Sequence, residues 1–118
     1  MPGARGEATI QAGEREVHIL FTNRALAQVE AQLGRSIIAL AQGLADGTCG
    51  ITEAVHLLGA GMEAARRDAG TSGGRVGLTE AYAVLDEAGY GPVVQAVSEA
   101  IAGVLAHGTG EGPEAKNP

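Results

Sequence analysis

The apolar residues of this chain change period once, at Phe21-Thr22, and that change dictates a fold in two parts. Before it, Val17, Ile19 and Phe21 face one way and Glu16 and His18 the other, while Ala8 and Ile10 alternate with Thr9 and Gln11. Alternation with period two on either side of the Gly-bearing turn Ala12-Gly13-Glu14 predicts a β-hairpin with strands over 7–12 and 15–21. Two strands alone are marginal in water, so their apolar face should pack on the remainder of the chain.

After the change the spacing is helical. Leu26, Val29 and Leu33 lie on one helical face, Thr22 or Asn23 can cap its start, and Gly34 supplies the stop. Ser36 can cap a second helix that carries Ile37, Leu40, Ala41 and Leu44 and ends around Asp46-Gly47. A loop over 48–50 precedes a third, capped by Thr52, with Val55, Leu58, Met62 and Ala65 on one face. Thr79 caps a fourth with Leu78, Ala81 and Leu85, and Gly91-Pro92 opens a fifth whose stripe is Val94, Val97, Ile101 and Leu105. The prediction is a mainly α chain with an N-terminal β-hairpin, in the α+β class, with about five short helices packed on two strands. At 118 residues it is read as one globular domain over 1–107, with the hairpin at 7–21 and the helical part at 22–107. The segment Gly70 to Gly77 is expected to be a flexible loop, and 108–118, with no apolar residue besides Ala115, a disordered tail.

The third helix contains Gly59 and Gly61, each costing about 1 kcal/mol relative to Ala in a helix interior. Either a kink or a close helix-helix crossing would account for them. The neighbouring Ala54, Ala60, Ala64 and Ala65 also keep this helix slim, which favours the crossing. Aromatic residues are scarce, with Phe21, Tyr82 and Tyr90 and no Trp, so Leu, Ile, Val and Ala must form the core.

The formal net charge of −6 comes with no basic stripe, the one adjacent basic pair being Arg66-Arg67, which argues against nucleic-acid binding. The single Cys49 cannot form an internal disulfide. No apolar run reaches the 18 or so residues of a membrane helix, and the first residues lack a signal-peptide core, so a cytoplasmic protein with no membrane role is expected.

No chemistry-bearing constellation emerges. His18, His56 and His107 fall in three different elements, with no partner at a metal-ligand spacing, so no metal site is assigned. Cys49 and His56 could activate a thiolate in principle, but no third residue orients them, and the cysteine is read as a bystander. The Gly-rich segment at 70–77 lacks the Lys of a phosphate loop, and Gly59-Ala60-Gly61 lacks the strand and third Gly of a dinucleotide fingerprint, so no cofactor is assigned. Asp86, Glu87 and Glu80 read as a solvated helix face. The chain is expected to bind other proteins and not to be an enzyme. Leu20, Ile38, Leu57 and Val93, beside or off the main stripes, either widen an ordinary core face or form an apolar patch for a partner. They are the candidate protein-binding residues, and the hairpin's exposed edge is a second place where a partner strand could add.

Arg5-Gly6-Glu7 opening a hairpin, followed by FTNRALAQVEAQLG at 21–34 and then Ser36-Ile37 and Leu40, resembles the gene-transfer-agent and siphophage tail family of small tail assembly chaperones. Leu26, Glu30 and Leu33-Gly34 match that family's Leu, acidic residue and terminal Leu-Gly, and LLGAGMEA at 57–64 resembles its third helix. The resemblance covers about residues 5–66, and its motifs are structural. It implies a phage, prophage or gene-transfer-agent protein, acting in the bacterial host cell during tail assembly. Its implied partners are the tape-measure protein and the tail-tube protein, and self-association into a homo-oligomer is a further possibility. The family has also been labelled as tail tube, so the alternative is a structural tail component, tail tube or connector.

Overall fold

The computed structural model describes residues 6–70 and 75–109. Strands β1 (Glu7–Ala12) and β2 (Arg15–Leu20) pair antiparallel, with Glu7 opposite Leu20 and Ala12 opposite Arg15. Gly13 takes the positive φ of 64° that the two-residue turn requires. The alternation read from the sequence is the alternation observed: Ala8, Ile10, Ala12, Val17 and Ile19 are buried. The second strand stops one residue earlier than expected, at Leu20. Phe21 lies just past the strand but still continues its pairing, its N–H donating to the Gly6 carbonyl at 2.7 Å, and its side chain is in the core.

Five helices follow among the described residues: α1 (Asn23–Leu33), α2 (Ile37–Asp46), α3 (Ile51–Asp68), α4 (Leu78–Ala88) and α5 (Tyr90–Thr109). Thr22, not Asn23, caps α1, its hydroxyl accepting from the Ala25 N–H at 3.1 Å, and Ser36 does the same for α2 through Ala39. Gly34 closes α1 in the left-handed conformation. Between them, the Glu30 carboxylate accepts from the Ile37 N–H at 2.8 Å. An α1 side chain thus satisfies one of the orphan donors at the start of α2, with its charge at the favourable end of the helix dipole.

Three expected starts move upstream. Gly50 precedes α3, and Thr52 is inside it. Glu53 reaches back to accept from the Gly50 N–H at 3.3 Å, which is the reciprocal half of a capping box. Gly77 precedes α4, so Thr79 is likewise a helical residue and not the cap. The fifth helix starts at Tyr90, and Pro92 sits in its first turn, where a missing N–H leaves no helical bond unmade. It also runs on to Thr109, so 108–109 are helical and do not begin a tail; the intrahelical bonds carry past Gly108 at modest cost. The rest of the expected tail, 110–118, and positions 71–74 of the expected flexible loop lie outside the described residues.

Helix α3 is central, touching β2, α4, α1 and α5. Its two glycines serve different neighbours. Gly59 faces α4, where an added Cβ would stand 3.6 Å from that of Ala81, which is the helix-helix approach expected. Gly61 faces the hairpin instead: an added Cβ would lie 3.0 Å from both Ile19 Cβ and Phe21 Cζ. The crossing read at Gly59-Ala60-Gly61 is therefore only half between helices, because the aromatic ring that comes just after β2 fills the space over Gly61.

Candidate functional site

Of the four apolar residues assigned to partner binding, two are core. Leu57 and Val93 are both 0% exposed. This corrects their place in a binding patch: α3 is surrounded by packed elements, so its apolar surface extends well beyond one stripe. Ile38 is 53% exposed on α2, and Leu20 is half-buried at the end of β2. These two remain at the surface, on different elements.

The cysteine and two of the histidines are engaged separately. Cys49 is buried, with its thiol toward the Gly50 carbonyl at 3.6 Å, while Tyr90 donates from its hydroxyl to the Cys49 carbonyl. Burial, reinforced by the charge of Glu53, pushes the thiol's pKa up and keeps it protonated. His56 directs Nδ1 to the Thr52 carbonyl one turn back, at 2.8 Å, and His18 is exposed on β2. Among the described residues no group of three or more His, Cys, Asp or Glu side chains gathers as a metal site, and no helix is long and apolar enough to cross a membrane.

Charged side chains instead fasten the helices. Arg35, in the α1–α2 turn, pairs with Glu53 at the start of α3. That partner holds the Glu53 carboxyl below its ordinary value near 4.5, so the folded chain favours the ionised form. The resulting stabilisation is complete above that ordinary value and lost as pH falls through the lower folded one. Glu53→Gln is accordingly expected to flatten the acid limb of the stability–pH profile. At about pH 7 it should cost less than about 1 kcal/mol, because the pair is partly exposed to water. Urea unfolding of both proteins across that range measures this.

Farther along α3, Arg66 pairs with Glu80 of α4 and reaches the Arg75 carbonyl, while Glu63 accepts from the Val76 N–H at 3.0 Å. These contacts tie the approach to α4 onto the last turns of α3.

An open groove of about 620 Å³ runs along the hairpin, and no residue pattern in the sequence singled it out. Every residue of β2 lines it, along with Glu7 to Thr9 of β1, Met62, Ala65, Arg66 and Asp68 of α3, and Ala69 just past that helix. Its lining mixes apolar side chains, Met62, Ala65 and Leu20 among them, with charged ones. Its two arginines are already paired, Arg15 with Glu87 and Arg66 with Glu80, whereas Glu7, Glu16 and Asp68 have no hydrogen-bond or ion-pair partner among the described residues. The groove thus combines a strand edge, a helix flank and unneutralised negative charge. Compared with protein-family models, with curated proteins and with solved structures, the chain matches none.

Proposed function

We propose that this chain is a tail assembly chaperone of a phage or gene transfer agent, which binds the tape-measure protein and helps to recruit tail-tube subunits. The observation that carries the reading is the groove along β2 and α3: an open groove with apolar and charged walls beside a strand edge is a surface on which another protein can lie. The resemblance of residues 5–66 supplies the partner. Its matched residues form one joint: Leu26 is buried, Glu30 holds the start of α2, and Gly34 closes α1. A small acidic domain bound along a very long and largely helical partner would mask surface that otherwise aggregates and would add charge to the complex. The setting is the bacterial cytoplasm while particles assemble.

Co-expression with a tape-measure protein from the same genome is the test. The expected result is a soluble tape-measure protein that co-purifies with this chain at low and moderate salt. No association at either salt overturns the reading. Finding the chain in purified particles at ring-like copy number would make it a structural tail component instead.

A further inference from the structure

The hairpin has two strands and therefore two edges, and the edge along β2 opens into the groove. The ladder's parity identifies the backbone groups there. Phe21 donates to Gly6, so 6 and 21 form a hydrogen-bonded pair, as do 8 with 19, 10 with 17 and 12 with 15 at every second step of the register. Glu16, His18 and Leu20 lie at the intervening positions, with their N–H and C=O groups directed away from β1. No backbone or side-chain group of another described element bonds to them. Among the described residues, these three thus present unpaired main-chain donors and acceptors, on a strand flanked by the last turns of α3.

We infer that this edge takes an extended, cationic segment of a partner protein, which adds beside β2 as a third strand in the groove against α3. The inference rests on the reading of the chain as a protein-binding factor and specifies the partner's chemistry. Main-chain pairing would supply register and affinity, and alternate side chains of the added segment would supply selectivity. One set would face Met62, Ala65 and Ala69 and should be small or apolar. The other would share the outer face with Glu16, and Asp68 closes the helix side of the groove. With Arg15 and Arg66 already paired, the free carboxylates of Glu7, Glu16 and Asp68 select lysine or arginine in the incoming segment and disfavour an acidic one.

The probe is a synthetic peptide of about ten residues alternating valine and lysine, long enough to span a strand, titrated into the isotopically labelled full chain at low salt. Its matched controls carry glutamate in place of lysine, or N-methyl groups on alternate backbone amides. The expected result is amide shifts and new hydrogen-exchange protection at Glu16, His18 and Leu20. Both should be lost with the N-methylated and acidic peptides, and binding should be at least about tenfold weaker for the double variant Glu16→Lys, Asp68→Lys. Both substituted residues are exposed, and circular dichroism verifies the fold of the variant.

Three results overturn the inference: no change at these amides, equal binding of the acidic peptide, or binding insensitive to N-methylation. Concentration-dependent protection of the same amides without peptide also overturns it, by making a second copy of the chain the occupant. The two readings remain separable. A tape-measure complex that survives Glu16→Lys, Asp68→Lys defeats the inference alone, whereas peptide binding without tape-measure association defeats the chaperone reading alone.

Discussion

Replacing Gly6 with alanine is expected to destabilise the chain by about 2–4 kcal/mol, from backbone strain and overpacking together. Gly6 holds φ at +87°, in the left-handed region that costs a residue with a side chain about 1–2 kcal/mol. Space is the second difficulty. A Cβ there would lie 2.3 Å from the Phe21 carbonyl oxygen and 2.6 Å from Val104 Cγ2. The first of these is backbone and cannot rotate away. The residue also closes the open end of the hairpin by accepting from the Phe21 N–H, and it brings that end against α5. Relief therefore requires separating strand from strand or hairpin from helix. Denaturant unfolding should show a lower midpoint, and exchange of the Phe21 amide should speed up more than that of amides in α2.

Leu57→Ala should be at least as damaging, by about 2–5 kcal/mol, because the side chain is wholly enclosed and the surrounding helices can collapse only partly into the space left. The same truncation at Ile38, half in solvent, should remain within about 0.5 kcal/mol. Thermal and urea unfolding of the two variants make the comparison. The pair also separates two roles that look alike in the sequence. Under conditions where Leu57→Ala stays folded it should bind the valine–lysine peptide like the parent chain, since Leu57 does not line the groove. A binding defect there without a stability defect would restore Leu57 to a partner surface.

Legibility in the sequence followed the range of the physics. The two strands, the five helices and the capping of α1 and α2 depend on residues a few positions apart, and they were readable from Val17, Ile19, Leu26, Val29, Thr22, Ser36 and Gly34. The starts of α3 and α4 lie upstream of Thr52 and Thr79, although those residues carry the stronger capping side chains. In α3 a carboxylate from within the helix satisfies Gly50 instead. The link from Glu30 to Ile37 spans seven residues and two helices, beyond the reach of any single period.

The candidate site was less legible. An apolar residue beside a helical stripe has no label saying whether another element covers it. Leu57 and Val93 are covered and Ile38 is not, which depends on where α4, α5 and the hairpin come to rest. Gly61 reads as a generic small residue until the Phe21 ring is found above it, 40 positions away in the sequence. The groove is likewise invisible in one dimension, since its two walls are β2 and the end of α3. The free charge within it arises from pairings that take Arg15 to α4 and Arg66 across to Glu80.

The sequence by itself thus determined the change of period at Phe21-Thr22, and with it the order of two strands and then helices, because propensity, capping and amphipathic spacing act over single turns of chain. Only the tertiary structure decided which apolar faces are covered, which edge of the hairpin stays open and which carboxylates lack a partner. Burial and charge pairing are relations between segments far apart in sequence, and they exist only once those segments pack.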